Sequence, residues 1–378
     1  MSWLIVGGVV PSLIVSLLAA YLVRRWAPRL GLVDRPGHRK VHTTPTPLGG
    51  GLALFAGIVL PLAGGCLILW LSTKGIRLPE IAALHAPGIL SQAPKLWFLL
   101  GGGFVLVVLG LIDDRRGLDW RVRLLVQTAV AGALVWRWEG WRLSLYLLDQ
   151  PWITISLSVL WIVGLINSFN MLDNMDGLSA GVAAIAAAML VMVLLTTPDP
   201  ITRQPQLFVA GFLLVLTGSL LGFLWHNRPP ARLFMGDAGS YLVGYCLATA
   251  TSMATFTGGN LPPHTILAPL CILAVPLYDT TTVVFIRLRQ GRSPFEGDKN
   301  HFSHRLVDLG MSKGQAVLTI YLVTATCGLA GLLLHQVDAA GAVVVVLQVL
   351  AMMAVICVLE MTGRKKQRGS GATTGDAQ

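Results

Sequence analysis

Long apolar runs alternate with short polar ones along nearly the whole chain. WITISLSVLWIVGLI (152–166) and LSAGVAAIAAAMLVMVLL (178–195) are two of these runs, and neither holds a charged residue. A helix needs roughly 20 mostly apolar residues to cross ~30 Å of hydrocarbon, where it satisfies its own backbone hydrogen bonds. Runs of that kind predict spans at about 2–23, 49–72, 95–112, 122–138, 152–170, 178–196, 207–225, 239–257, 265–286, 314–335 and 341–361. The predicted fold class is therefore all-α, a polytopic membrane protein with eleven transmembrane helices. Residues 1–362 read as one integral-membrane domain and 363–378 as a disordered basic and polar tail. The segment GIRLPEIAALHAPGILSQAP (75–94) has room for a short interfacial helix.

Composition agrees with the pattern, since 54% of residues are hydrophobic and 12% charged, against about 25% charged in a soluble domain. Charge then sets the orientation. If the N-terminus is outside and the C-terminus inside, the inner segments (24–48, 113–123, 171–177, 226–238, 287–313 and the tail after 361) hold 22 of the 28 lysines and arginines. Positive charge concentrates on the inner side of a membrane protein. The net charge of +10 is thus mostly topological, with the lipid bilayer rather than nucleic acid as its partner. Cys66, Cys246, Cys271, Cys327 and Cys357 all fall within spans and read as small packing residues.

Residues capable of chemistry gather on the inner side. In GLIDDRRGLDWRVR (110–123), Asp113 and Asp114 precede two arginines, a set suited to Mg²⁺ and phosphate. The plainer reading is a helix end with the two carboxylates paired to Arg115 or Arg116. In NSFNMLDNMDG (167–177), Asn167, Asn170 and Asp173 recur every third residue on one broad helical face, and Asp176-Gly177 marks the break before the next span. Amide and carboxylate oxygens there could ligate a hard cation or hold a nucleotide, and a tight polar turn is the alternative. RLFMGDAGSYLVGY (232–245) puts Asp237 between glycines at a helix start, where free N–H groups favour an anion. RLRQGRSPFEGDKNHFSHRLVDLG (287–310) mixes Arg292 and other cations with His301 and His304, which fits a diphosphate or a base, or simply a solvated basic loop. GLVDRPGHRKVHTTPTPLGGG (31–51) offers Lys40 and His42 for a lipid phosphate before a Pro-Thr-Pro segment that cannot continue a helix. Together the five clusters point to an enzyme acting on phosphate esters from the cytoplasmic side of the cell membrane.

Taken in order, RKVH, PTPLGG, GLIDDR, NSFNMLDNMDGL, FMGDAGS and the GRSPF…DK…HFSHRL stretch make the chain resemble the polyprenyl-phosphate N-acetylhexosamine-1-phosphate transferases, from about residue 30 to 312. The resemblance implies transfer of a sugar 1-phosphate from a UDP-N-acetylhexosamine to undecaprenyl phosphate, with release of UMP and with Mg²⁺, or Mn²⁺ in its place, as cofactor. It implies that Asp113 and Asp114 serve catalysis and lipid-phosphate handling. Asn170, Asp173 and Asp176 belong to the nucleotide and metal motif, Asp237 with Asn170 holds the metal, and the His301 region helps bind the donor. A homodimer is compatible with this reading. The sequence departs from the family pattern twice: Asn174 stands where a glycine is usual, and Ser303 where the middle of three histidines is usual. N-acetylglucosamine 1-phosphate is the favoured group, with the related phospho-N-acetylmuramoyl-pentapeptide transferase as the alternative. A transporter of anionic substrates would place its polar groups near the bilayer midplane instead, and a CDP-alcohol phosphotransferase would carry a different aspartate run.

Overall fold

A computed structural model describes residues 2–34, 45–75, 80–143, 150–197, 199, 204–256, 261–298 and 300–372. The fold is all-α. Its helices are α1 (Ser2–Trp26), α2 (Gly50–Ser72), α3 (Glu80–Arg116), α4 (Trp120–Arg137), α5 (Pro151–Leu172), α6 (Leu178–Thr196), α7 (Leu207–Asn227), α8 (Gly236–Met253), α9 (Ala268–Ile272), α10 (Ala274–Arg289), α11 (Phe302–Asp308), α12 (Lys313–Leu333) and α13 (Ala339–Ala372). Among the described residues eight helices are long and apolar enough to cross a membrane, or nine with one bent pair counted as a span. The chain is a multi-pass membrane protein.

Each of the eleven predicted spans is occupied by helix, but three differ from a simple apolar rod. The span expected at 265–286 is broken: the helical pieces Pro263–Ile272 and Ala274–Arg289 meet at 70°. Neither α4 nor α8 is among the helices apolar enough to face lipid along their length. Arginines at 121, 123 and 137 interrupt α4. For α8 the reason is burial, because every residue from Ala238 to Ser252 is covered by protein. A helix with no lipid contact needs no greasy surface. Its hydroxyls are satisfied inside the bundle, with Thr249 and Ser252 donating to backbone carbonyls of their own helix and Trp161 donating to Thr251 at 2.9 Å.

One further expectation changes. The interfacial segment before residue 95 is the start of α3, a single helix of 37 residues that contains Pro87 and Pro94. At ~1.5 Å per residue such a helix outruns the hydrocarbon, so its first turns stand clear of it. At the other end α13 runs to Ala372, and its Arg-Lys-Lys-Gln-Arg run is built of good helix formers.

Glycines bring α8 close to its neighbours. A Cβ on Gly110 of α3 would lie 2.2 Å from the Ala238 nitrogen, one on Gly51 of α2 would lie 2.5 Å from the Ala238 carbonyl carbon, and one on Gly244 would lie 2.6 Å from the Leu165 oxygen of α5. A two-stranded antiparallel ribbon, β1 (Val33–Asp34) with β2 (Thr46–Pro47), pairs Val33 with Pro47. The Pro47 carbonyl then accepts from Phe234 N at 2.9 Å, and Gly50 N donates to the Phe234 carbonyl at 2.9 Å. The Pro-Thr-Pro segment thereby fastens the chain just ahead of α8. Cys246, Cys271 and Cys327 are free and buried, as packing residues are.

Candidate functional site

The C-terminal ends of α3 and α5 meet the N-terminus of α8, and each end carries acidic groups. Gly236 opens α8 with φ +69°, a backbone that side-chain-bearing residues rarely adopt, and a Cβ there would sit 2.5 Å from the Asp114 carboxylate. Asp114 therefore reaches across from α3, accepting from Asp237 N at 2.8 Å and from Ala238 N at 3.4 Å. It caps α8 from another helix, where the partial positive charge of the helix start favours an anion.

Asp113 points the other way and is fully engaged. One oxygen accepts from Leu118 N at 2.7 Å, and the other accepts from the Tyr241 hydroxyl at 2.8 Å and from Arg123 at 3.2 Å. Arg115 and Arg116, the expected partners, are exposed, because the chain turns at Gly117 and brings Arg123 of α4 back over the carboxylate.

From α5, the Asn170 amide nitrogen donates to Asp237 at 2.6 Å and to Ser240 at 3.1 Å. Asp173 follows in the turn between α5 and α6. Burial, with Asp237 and Asp176 nearby, pushes its carboxyl up to about 8. Asp176 lies at the back of this turn and accepts from Ala231 N at 2.9 Å, while Asn227 accepts from Gly177 N at 3.0 Å. Asn167 is not brought to Asp237. It donates to Gln127 of α4 at 2.7 Å, because three residues rotate a helix by only ~300° and shift it off the Asn170 face.

The histidine loop is a second, adjoining unit. Asp279, wholly buried on α10, holds the start of α11 by accepting from Phe302 N at 2.5 Å and contacting His301 Nδ1 at 2.9 Å. His301 is buried as well, and the His304 ring lies 6.3 Å from it, centre to centre. Arg287 donates to Asp298 through Nε (3.3 Å) and a terminal nitrogen (3.1 Å) and to the Pro294 carbonyl at 2.6 Å. Burial works against the Asp298 charge, but the Arg287 and Asn300 hydrogen bonds prevail and hold its carboxyl down to about 2. Arg292, a candidate substrate contact, lies 3.0 Å from Glu296 and 3.8 Å from Asp298. Trp120 of α4 stacks on Phe295 with centroids 4.0 Å apart, joining this loop to the Asp113 region. Ser303 donates a hydrogen bond to the Asn174 side-chain oxygen, joining it to the turn after α5. Lys40 and His42 lie outside the described residues.

Asp114, Asn170, Asp173 and Asp237 thus share one end of the bundle, with Asp113 behind them and His301 beside them. Sequence reasoning missed Tyr241, Arg123 and Asp279 as the groups that position them. Tyr241 follows Asp237 by four residues, one helical turn, and so was detectable. Arg123 carried no local signal, since its partner comes from another helix, and Asp279 stood out as a carboxylate within an apolar run while its partners come from a later loop. The donors are hard oxygens of the type that suits Mg²⁺. Among the described residues, no three His, Cys, Asp or Glu side chains form a metal cage. Mg²⁺ shared with a phosphate substrate takes only one or two carboxylates and keeps waters, so the set fits that ion without a cage.

The fold is a polytopic all-α bundle with an acidic cluster at a buried helix start. Residues 96–255 match glycosyl transferase family 4. Over 326 residues the chain is 32% identical to a probable undecaprenyl-phosphate N-acetylglucosaminyl 1-phosphate transferase of Bacillus subtilis, an overlap of 84% of this chain and 82% of that one. It is 34% identical over 331 residues to a decaprenyl-phosphate N-acetylglucosaminephosphotransferase of Mycobacterium tuberculosis, covering 82% and 77% of the two chains. With the undecaprenyl-phosphate alpha-N-acetylglucosaminyl 1-phosphate transferase of Escherichia coli K12 it shares 29% identity over 328 residues, covering 84% and 80%. The chain belongs to glycosyl transferase family 4 and is a membrane transferase.

Proposed function

We propose that this protein transfers N-acetylglucosamine 1-phosphate from its UDP-linked form to undecaprenyl phosphate at the cytoplasmic face of the cell membrane, releasing UMP. One observation carries the reading: Asp114, Asn170 and Asp237 converge on the start of α8, where backbone N–H groups and hard oxygens meet. The names of the relatives supply the transferred group and the acceptor class.

Asp237 and Asp173, with the Asn170 side-chain oxygen, would hold Mg²⁺. Bound there, the ion would offset negative charge on the diphosphate and on the departing UMP. Asn170 orients Asp237 through its amide. Asp114 fixes the α8 start by accepting two of its N–H bonds. Asp113 has both oxygens occupied, which supports a positioning role rather than that of nucleophile or base. No base is required, because a phosphate monoester has its second pKa near ~6 and is largely dianionic at neutral pH. The acceptor phosphate would attack the sugar-bearing phosphorus directly. His301, with Nδ1 committed to Asp279, keeps Nε2 for the donor.

The test is UMP release by the purified protein with UDP-N-acetylglucosamine, undecaprenyl phosphate and Mg²⁺, each omitted in turn. Release should need all three, and Asp237→Asn should lower it at least ~100-fold, the scale of losing one electrostatic stabiliser. Release without lipid, or near-normal rates in both Asp113→Asn and Asp237→Asn, would refute the proposal. Uptake of the donor into sealed vesicles without UMP formation would point to a transporter.

A further inference from the structure

The turn after α5 and the histidine loop touch through one pair of side chains. Asn174 lies in the turn between α5 and α6, one residue after Asp173. Ser303 lies in the first turn of α11, between His301 and His304. The Ser303 hydroxyl donates to the Asn174 side-chain oxygen, and the Asn174 amide nitrogen donates at 2.9 Å to the Met171 carbonyl at the end of α5. The contact thus runs from the histidine loop, through residue 174, into the helix that carries Asn170.

Both partners are held from behind. Ser303 has no exposed surface, and the residue before it donates to Asp279. The turn beyond Asn174 is pinned by the Asp176 contact with Ala231 N and by the Tyr321 hydroxyl, which donates to the Gly177 carbonyl. With each unit fastened to its own surroundings, a direct side-chain bond between them fixes their spacing.

We propose that Asn174 and Ser303 are a pair of donor-positioning residues, which set the distance between the Asp173–Asp237 cluster and His301 so that one UDP-sugar spans both. Neither residue takes part in bond making. The inference rests on the proposed transferase reading, in which the diphosphate lies at the acidic cluster and the histidine loop holds another part of the donor. The pair acts on donor geometry and leaves the acceptor alone.

The experiment is a set of variants of the full chain in detergent, with the donor varied at saturating undecaprenyl phosphate. Asn174→Ala and Ser303→Ala should each raise the donor KM about tenfold, the effect of one lost hydrogen bond, with kcat within threefold of the parent. The double variant should be no worse than the weaker single one, and Ser303→Thr, which keeps the hydroxyl, should retain most donor affinity. Ser303→His, which removes the hydroxyl from an enclosed position, should lose at least about tenfold in donor affinity. Multiplying losses in the double alanine variant, an unchanged donor KM, an equal rise in the acceptor KM, or loss of donor affinity in Ser303→Thr would overturn the proposal. Donor affinity is also read by thermal-shift titration with UDP-N-acetylglucosamine. If the parent binds the donor but transfers nothing, the transferase reading fails while the pair is still judged by affinity. Melting points come from the same titration, and Ser303→Thr with Ser303→His decides if an alanine variant is too unstable to assay.

Discussion

Replacing Gly110 by alanine tests how the fold sets the site. The added Cβ would lie 2.2 Å from the Ala238 nitrogen, 2.3 Å from its Cα and 2.5 Å from the Asp237 carbonyl carbon. All three are backbone atoms, so no side chain can rotate out of the way. Because real Cβ contacts essentially never fall below 3.0 Å, the first turn of α8 must move away from α3 by at least about 0.8 Å. Forcing a methyl into a packed interior costs about 1–3 kcal/mol. The same displacement stretches the Asp114 bonds to Asp237 N and Ala238 N, now 2.8 and 3.4 Å. A misplacement of ~1 Å at reacting groups costs about 100-fold in rate. Gly110→Ala should therefore lower kcat about 100-fold and lower the melting point by several degrees. Gly101→Ala is the control on the same helix, since nothing lies within 4 Å of its Cβ, and it should match the parent in both. UMP release and thermal unfolding on the same preparations read the two effects. A Gly110→Ala protein with kcat within threefold of the parent would refute the idea that the α3–α8 approach places the carboxylates.

Three other outcomes follow from named contacts. Tyr241→Phe removes the hydroxyl that donates to Asp113 at 2.8 Å, and leaving a buried carboxylate one bond short should cost about 1–3 kcal/mol in unfolding measurements; unchanged stability would mean Arg123 alone satisfies it. Arg305 and Glu360 form a buried ion pair at 3.0 Å between α11 and α13. Glu360→Leu should destabilise by about 3–5 kcal/mol and Arg305→Met/Glu360→Leu by much less, because the double change strands no charge; equal losses would refute that account. Asp173 gives the pH dependence. Its carboxyl is raised to about 8 in the folded protein, above ~3.9 in an unfolded chain, so without cation the fold binds the extra proton. Stability should then fall as pH rises from about 4 through about 8. Melting in EDTA should show that fall and Asp173→Asn should lessen it, whereas Mg²⁺, competing with the proton, should stabilise more at pH 8.5 than at pH 6; a Mg²⁺ effect independent of pH would exclude Asp173 as a ligand.

The placement of helices was legible from hydropathy because lipid demands a local property, some 20 apolar residues in sequence. The acidic and amide residues stood out for the same reason, as polar groups at the ends of greasy runs. That α8 is sheltered from lipid and so can carry Thr249, Thr251 and Ser252 was visible only in the packed bundle. The 70° break ahead of α10 was likewise hidden inside one apolar run.

By itself the sequence determined that this is a multi-pass helical protein and which short motifs carry its chemistry, since both depend on neighbours along the chain. Tertiary structure decided which partner each motif residue meets. Asp113 turned to Tyr241 and Arg123, Asp114 to the start of α8, Asn167 to Gln127, and Arg292 to Glu296. The separation in sequence between Asn174 and Ser303 concealed that the two unusual residues share one hydrogen bond. Side-chain direction depends on helix rotation and on how closely glycines let helices approach, and both are properties of the packed bundle rather than of any one segment.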